Sequence, residues 1–320
     1  MAHNVNFSSI LLVGAGAMAR EYMRVLDSKK VKYTVVCNTV ESAKKIKLTH
    51  ACKVVSGGLE KYLRDHQAPE FAVVATPVDS LYAISKMLIN CGVRNILLEK
   101  PGAIYNRDLR NLSQQASYKK SNVYIAYNRR FYGSVEKLCE LSKQDGGIKN
   151  IYFDFTELSD EISRLKIPDE VKARWALANS SHVFDLVVFL GGSIRKLNTN
   201  AYGGLDWHKS GAYFSGTGMS IHRIPFAYRS DWSSPGRWEI NVYSENYKFI
   251  LSPLEDLKAM MRGSFEIKDV NLESRDDNIF KPGLYKMVSK FLSQEVADFC
   301  SIHEHCYNFK HYCDIVNYDA

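Results

Sequence analysis

The sequence contains no run of about 18 consecutive apolar residues, the length that a membrane-spanning helix requires. Residues 1–6 have neither the basic nor the apolar region of a secretory signal peptide. The chain also lacks internal repeats and low-complexity segments. We therefore predict no membrane partner, and we expect a cytoplasmic protein.

Cysteine is scarce and shows no paired spacing. The seven cysteines are an odd number, so the sequence does not indicate a disulfide framework. Scattered thiols of this kind are typical of a reducing cytoplasm. The positions are Cys37, Cys52, Cys91, Cys139, Cys300, Cys306 and Cys313.

A concentrated basic stripe is also missing. Lysine and arginine outnumber aspartate and glutamate by 42 to 35, but they are spread along the chain. Nucleic-acid-binding proteins usually concentrate their positive charge, so we predict no nucleic-acid partner. The net charge of +7 would favour an anionic cofactor and substrate, although an ordinary basic protein has the same balance.

A glycine-rich turn follows a short apolar run, residues 9–13, which reads as a strand buried on both faces. Gly14 permits the tight turn, Gly16 lets the backbone approach a pyrophosphate, and the small Ala19 permits close packing of helix on strand. The helix predicted over 17–28 would direct its N-terminus at the phosphates. This order of elements predicts a dinucleotide site. Its predicted cofactor-binding residues are Gly14, Gly16, Ala17 and Met18.

The second predicted strand, residues 32–37, lacks a carboxylate at its end. NAD-specific sites place one there for the adenosine ribose, whereas this chain has Asn38 and Thr39, with no carboxylate before Glu41. Lysines follow within two turns, a setting that tolerates a 2′-phosphate. We predict that NADP or NAD binds here and lean to NADP. Alternatively, Asn38 only caps the next helix.

Two more predicted strands, residues 71–75 and 94–98, end in residues that suit a cofactor site. Ligands of doubly wound sheets bind beyond the carboxyl ends of the strands. There Lys100 would lie near the nicotinamide, hydrogen-bond the reacting oxygen and relay a proton. An exposed lysine is the alternative. The further predicted cofactor-binding residues are Thr76, Pro77, Glu99 and Lys100.

The fold class follows from the order of elements. Short strands and helices alternate over residues 1–126, which predicts an α/β dinucleotide-binding Rossmann domain with a doubly wound parallel sheet. After this point the strand-like runs alternate in polarity, as in residues 238–243. We expect residues 127–320 to form an α+β substrate-binding and oligomerisation domain on an open, mainly antiparallel sheet. The predicted elements here are a helix at 132–144, a strand at 150–157, a helix with His182, strands at 195–202, 211–218, 222–231, 237–244 and 247–251, and a helix from Leu284.

These motifs, in this order, resemble the Gfo/Idh/MocA family of oxidoreductases, the glucose-fructose oxidoreductase and inositol dehydrogenase group. Residues 73–77 and 98–101 match the family's N-terminal motifs and spacing, residues 126–131 resemble its segment between domains, and residues 181–192 its catalytic helix. The resemblance spans roughly the whole chain and weakens after residue 200. It implies a homodimer or homotetramer formed through the open sheet.

One position departs from the family pattern. Many family dehydrogenases carry an aspartate four residues before the motif histidine, and this chain has Ala178 there. Asn179 can hydrogen-bond but cannot act as a carboxylate. Family members without the aspartate include reductases and non-catalytic sugar sensors, so the direction of the reaction, and catalysis itself, stay open.

The substrate candidates lie in the second half of the chain. His182 suits proton exchange near neutral pH, and Asp185 would orient it or touch the substrate, unless it is a buried, hydrogen-bonded carboxylate. Arg129 would hold a phosphate or carboxylate, although an interdomain ion pair is favoured for it or Arg130. Trp175 would stack on a sugar ring or pack in the core. The predicted substrate residues are Arg129, Trp175, Asn179, His182 and Asp185, with Lys100 and His182 catalytic.

The C-terminal stretch is rich in residues that can bind metals, but their spacing matches no paired-ligand pattern. On one helix, several of them would point to different faces. We therefore predict no metal site. The residues are Cys300, His303, His305, Cys306, His311 and Cys313.

The sequence thus predicts an NAD(P)-dependent dehydrogenase or reductase that acts on a CH–OH or C=O group of a sugar or nucleotide-sugar, with surface-polysaccharide biosynthesis as one setting. A non-catalytic dinucleotide-binding sensor remains an alternative because of Ala178. A reductase of a non-sugar substrate, such as an imine, is another.

Overall fold

The computed structural model describes residues 10–273 and 275–319 of the chain. Residues 1–9, which include the start of the first predicted strand, lie outside them. The described chain forms two compact units. The first contains residues up to Ala126 together with Leu284–Cys306, and the second contains Tyr127–Gly283 and the residues from Tyr307 onward.

The first unit is built on a parallel sheet with the strand order β6-β5-β4-β1-β2-β3. The order reverses beside β1, which creates the crevice where doubly wound sheets bind their ligands. The predicted doubly wound fold is confirmed. Its strands are β1 (Ile10–Val13), β2 (Tyr33–Cys37), β3 (Lys53–Ser56), β4 (Phe71–Val74), β5 (Asn95–Leu98) and β6 (Asn122–Ile125). Its helices are α1 (Ala17–Ser28), α2 (Val40–Lys47), α3 (Gly58–Asp65), α4 (Leu81–Asn90) and α5 (Asn106–Lys119).

The second unit is built on an open sheet with the order β14-β13-β12-β11-β7-β10-β9-β8. Its pairs are antiparallel except β7 with β10, so the predicted, mainly antiparallel sheet is confirmed. The strands are β7 (Asn150–Phe155), β8 (Ile194–Tyr202), β9 (Tyr213–Ser220), β10 (Pro225–Asp231), β11 (Trp238–Tyr243), β12 (Tyr247–Leu251), β13 (Lys258–Met261) and β14 (Ile267–Asp269). The helices are α6 (Gly133–Gln144), α7 (Ser159–Ser163), α8 (Asp169–Ala173), α9 (Ser181–Gly191) and α10 (Arg275–Ile279).

Helix α9 is apolar around most of its circumference and packs on one face of this sheet. Phe184 contacts the rings of Phe153 and Phe155 on β7, and all three side chains are buried. A helix that is hydrophobic all round is a core element. The start of α9 is therefore held rigidly at the end of β7.

The C-terminal segment returns to the first unit before it ends on the second. Helix α11 (Leu284–Ser293) buries Phe291 against Phe71, and β15 (Cys300–Ser301) pairs antiparallel with β6. The final helix, α12 (Ile302–Ile315), follows directly. The predicted division at residue 126 placed residues 284–306 in the second domain, whereas these contacts place them in the first unit.

No helix within residues 10–273 and 275–319 is both long enough and apolar enough to cross a lipid bilayer.

Candidate active site

The glycine-rich turn is held against the end of β4. Gly14 has a φ of +125°, and a Cβ built on it would lie 2.2 Å from the carbonyl oxygen of Ala75. The Ala75 amide donates to the Val13 carbonyl at 2.8 Å. Only glycine fits here, because any side chain would meet backbone atoms.

The N-terminus of α1 is open. Gly16 occupies the N-cap position without a side-chain cap, and the first turn contains no acidic residue. A Cβ on Gly16 would meet nothing within 4 Å, so there is room beside the backbone. The first turn, which includes Ala17 and Met18, offers its N–H groups and the positive end of the helix dipole to an anion. This arrangement fits a dinucleotide pyrophosphate.

Thr76 and Pro77 follow β4 at the same edge of the sheet. Within the described ranges, the buried hydroxyl of Thr76 has no hydrogen-bond partner. Buried hydroxyls are normally satisfied, so this oxygen fits contact with a ligand. Pro77 is exposed, and its carbonyl accepts from Ser80 at 3.0 Å.

The end of β2 does not show Asn38 capping the next helix, which was the alternative to a cofactor-binding role. The residue that caps α2 is Thr39, whose hydroxyl accepts from the Ser42 amide at 3.1 Å. Asn38 is exposed, so its side chain stays at the sheet edge. Of the nearby lysines, Lys45 pairs with Glu41 at 2.7 Å.

The segment around Lys100 is fixed from both sides. The Tyr22 hydroxyl donates to Glu99 Oε1 at 2.8 Å, and burial raises the pKa of this tyrosine well above its usual range. His305 Nε2 lies 3.0 Å from the Pro101 carbonyl. Lys100 itself is half-buried, and the residues on both sides of it are held by these hydrogen bonds.

Asp185 is a buried, hydrogen-bonded carboxylate, one of the two alternatives that the sequence left open. Its carboxylate forms a bidentate ion pair with Arg130, with distances of 2.8 Å from Nε and 2.7 Å from Nη2. Asp185 is 1 % exposed and Arg130 is 4 % exposed. Both residues belong to the second unit. A carboxylate enclosed in this way is poorly placed to touch a substrate.

An aromatic cluster surrounds His182. The ring of Tyr127 lies edge-on at 5.6 Å, and the Trp238 ring is 6.3 Å away. The guanidinium of Arg129 stacks over Trp238 at 4.8 Å from the ring centroid. The structure thus brings together the predicted residues Arg129 and His182, with Trp238 as an unpredicted partner.

A cavity of about 480 Å³ opens in the second unit beside this cluster. Its wall combines an indole face, two guanidinium groups, two carboxylates and an amide. Asn179 is a predicted member of the wall, whereas Trp175 is not among its residues. The lining residues are Arg129, Thr156, Glu157, Leu158, Asn179, Gly236, Arg237, Trp238, Pro253, Leu254 and Glu255.

Glu157, Arg237 and Trp238 were missed as site residues. Glu157 ended a predicted strand, and Arg237 and Trp238 began another. Such positions are common in any sheet, so the sequence carried only a weak signal for them. Their convergence depends on the pairing of β7 with β11, which joins Trp238 to Phe155.

The C-terminal histidines make hydrogen bonds within the fold. His303 Nδ1 lies 2.7 Å from the Ser113 hydroxyl, while His305 contacts Pro101, as described above. Among the described residues, no group of three or more histidine, cysteine, aspartate or glutamate side chains has the geometry to hold a metal ion.

The comparisons with known proteins agree with this geometry. Residues 8–127 match the model of an oxidoreductase family with an NAD-binding Rossmann fold, Gfo/Idh/MocA. No curated protein matches the chain significantly in sequence.

Solved structures share the fold at low sequence identity. An oxidoreductase from Agrobacterium radiobacter in complex with NAD⁺, L-tartaric acid and magnesium has a TM-score of 0.78 at 14 % identity, covering 95 % of this chain and 94 % of that one. UDP-N-acetylglucosamine 3-dehydrogenase from Acidithiobacillus ferrooxidans gives 0.74 at 13 %, with 96 % of both chains covered. Levoglucosan dehydrogenase in complex with NADH gives 0.76 at 13 %, covering 97 % and 96 %.

The family match coincides with the open glycine-rich turn, the unpartnered Thr76 hydroxyl and the fixed Lys100 segment. Residues 8–127 are thus similar to the NAD-binding Rossmann domain of the Gfo/Idh/MocA oxidoreductase family.

Proposed function

We propose that the chain is an NAD(P)-dependent dehydrogenase or reductase that exchanges a hydride with a carbon of a sugar or nucleotide-sugar. One observation carries this proposal. Lys100 lies on a hydrogen-bonded segment at the same sheet edge as the open N-terminus of α1, where the backbone fits a dinucleotide pyrophosphate.

The chain's own residues have distinct roles in this proposal. Gly14 and Gly16 let the backbone bind the pyrophosphate, and Thr76 contacts the cofactor through its hydroxyl. When bound, the nicotinamide supplies the hydride donor or acceptor. Lys100 hydrogen-bonds the reacting oxygen, and His182 exchanges the accompanying proton.

The second-unit cavity supports a sugar as the substrate. Trp238 offers a ring face, and Arg129 and Arg237 offer donors for oxygen atoms. Two of the structural neighbours are named for sugar substrates, levoglucosan and UDP-N-acetylglucosamine.

NADP is the cofactor that the end of β2 favours. Asn38 provides no carboxylate for the ribose, and it is exposed. Lys44, also exposed, is a candidate partner for a 2′-phosphate. The predicted homo-oligomer and the role in surface-polysaccharide biosynthesis stay predictions.

A calorimetric titration with NADPH and, separately, NADH tests the first step. We expect micromolar binding and tighter binding of NADPH. Gly16→Asp is the control, because its side chain has room beside α1 but would repel a pyrophosphate. If the folded wild-type chain binds neither NADPH nor NADH, the result contradicts the proposal. The glycine-rich turn would then no longer serve as a dinucleotide site.

A turnover screen with the preferred cofactor tests the second step. Sugars and nucleotide-sugars are supplied with the oxidised cofactor, and the corresponding keto sugars with the reduced one. Absorbance at 340 nm reports the reaction. Dinucleotide binding without turnover of any of them would contradict the sugar-oxidoreductase proposal.

A further inference from the structure

Glu157 is a buried carboxylate that the proposed chemistry leaves without a role. It follows β7 with 7 % of its surface exposed, and it lines the cavity. Burial of a charge is tolerated where hydrogen bonds compensate it. Asn179 Nδ2 lies 3.1 Å from each carboxylate oxygen, and the Ser180 hydroxyl donates to Oε1 at 2.6 Å.

Both donors belong to a π-helical turn, Ala176–Ser180, directly before α9 and His182. Such turns within helices are frequent at functional sites. Glu157 therefore joins the end of β7 to the turn that leads into His182.

The orientation of the Asn179 amide follows from hydrogen-bond chemistry. An ionised carboxylate only accepts hydrogen bonds, so Asn179 turns its NH₂ group toward Glu157 and its Oδ1 away from it. Within the described part of the chain, no donor reaches Asn179 Oδ1. Because Asn179 lines the cavity, this oxygen is an oriented acceptor on the cavity wall.

We propose that Glu157 is a positioning residue that holds Asn179 Oδ1 as the acceptor for one hydroxyl group of a sugar in this cavity. The proposal rests on the proposed sugar-oxidoreductase function and deepens it. The guanidinium groups of Arg129 and Arg237 only donate, so they bind sugar oxygens but cannot accept a hydroxyl proton. Asn179 Oδ1 supplies such an acceptor in addition to the Glu255 carboxylate on the wall, and Glu157 brings a further carboxylate to a site that has Ala178 in the family's aspartate position.

The test is a double-mutant cycle on the full chain, with sugar affinity measured by calorimetry in the presence of saturating dinucleotide. The probes are D-glucose, D-glucuronate, levoglucosan and UDP-N-acetylglucosamine. We expect Asn179→Ala and Glu157→Ala each to weaken the best probe about tenfold, the effect of one lost hydrogen bond. The double variant should be no weaker than Asn179→Ala, because Glu157 acts through Asn179.

Two further variants separate positioning from folding. Glu157→Gln can still present a carbonyl to Asn179, so it should lose less affinity than Glu157→Ala. Glu239→Gln changes a carboxylate that accepts from Asn241 at 2.5 Å but lies outside the cavity wall. It should leave sugar affinity unchanged.

Additive losses, unchanged affinity in Glu157→Ala, or no binding of any probe by the wild type would overturn the proposal. Its failure is distinguishable from that of the proposed function. If the affinity losses are non-additive but the wild-type protein turns over no sugar, the positioning role of Glu157 is supported and the oxidoreductase function is rejected. If the protein turns over a sugar and Glu157→Ala leaves the KM for that sugar unchanged, the oxidoreductase function is supported and the positioning role of Glu157 is rejected.

Discussion

At the scale of the residue, Lys100 is the side chain on which the proposed reaction depends most. It is half-buried on a segment anchored through Tyr22 and His305. We expect Lys100→Ala to lower kcat by about 10²–10⁴-fold, the usual contribution of a proton-transfer group. Dinucleotide affinity should stay within about twofold, because the pyrophosphate contacts are made by the backbone.

The measurement pairs steady-state kinetics with calorimetry, and Lys119→Ala, at an exposed position on the same unit, is the control. A Lys100→Ala variant with wild-type turnover would remove this lysine from the mechanism.

His208 gives the second unit a pH-dependent stability. Its Nδ1 faces the Gly211 carbonyl at 2.8 Å and its Nε2 faces the Tyr318 hydroxyl at 2.6 Å. The carbonyl can only accept, so the neutral ring carries its proton on Nδ1 and accepts from Tyr318 on Nε2. Burial lowers the pKa of His208 to about 4.

The unfolded state therefore binds a proton that the folded state does not, at any pH between about 6.5 and 4. The free energy of unfolding should fall by up to about 3 kcal/mol as the pH drops through this range. Urea unfolding at pH 7 and pH 4.5 measures the loss. In His208→Gln the difference between the two pH values should shrink by that amount, and an identical difference would show that His208 does not titrate in this way.

Single residues also show where sequence reading succeeds. Gly14 was predictable because its positive φ and the nearby Ala75 backbone restrict that position to glycine, whatever the rest of the fold does. Gly16 was predictable from the glycine spacing of dinucleotide-binding turns. The buried ion pair of Asp185 could not be predicted, because its partner Arg130 is distant in sequence. An aspartate on a helix can equally well contact a substrate or be a buried, hydrogen-bonded carboxylate.

At the scale of the element, the Arg130–Asp185 pair joins the short 3₁₀ helix Asn128–Phe131 to α9. Replacing one partner of a buried ion pair leaves the other charge uncompensated, which typically costs about 3–5 kcal/mol. We expect Asp185→Asn to lower the free energy of unfolding by about that amount.

Chemical denaturation measures the change, and the exposed pair of Glu161 with Arg164 at 3.5 Å provides the control. Glu161→Gln should change stability by less than about 0.5 kcal/mol. Equal effects of the two substitutions would mean that burial of the Arg130–Asp185 pair contributes little.

Most elements of the first unit were predictable because each strand of a parallel sheet is a continuous apolar run bounded by turns. The predicted strand at 71–75 and helix at 17–28 differ from the observed β4 and α1 by a residue at most. In the second unit, β13 and β14 were not predicted, since runs of 4 and 3 residues are too short for a clear period.

At the scale of the whole molecule, the order of the units along the chain is what sequence patterns do not reveal. The helical period of α11 shows an apolar face, but not which sheet that face covers. The two residues of β15 carry no period at all. Only long-range packing assigns residues 284–306 to the first unit.

Phe291 is the side chain through which this assignment can be tested. It is 1 % exposed and meets Phe71 edge-on at 5.6 Å and Tyr124 at 6.4 Å. Truncation of a buried phenylalanine usually costs about 3–5 kcal/mol, so Phe291→Ala should lower the thermal midpoint of the dinucleotide-binding unit. Leu48→Ala, at a position 85 % exposed on the same unit, is the matched control and should change stability by less than about 0.5 kcal/mol.

The decisive measurement is whether bound NADPH or NADH raises the midpoint of the same unfolding transition that Phe291→Ala lowers. A ligand stabilises whichever cooperative unit binds it. If α11 folds with the dinucleotide-binding unit, saturating cofactor should raise the midpoint of the same transition that Phe291→Ala lowers. If the substitution lowers a transition on which the cofactor has no effect, residues 284–306 belong energetically to the second unit, as the simple division at residue 126 supposes.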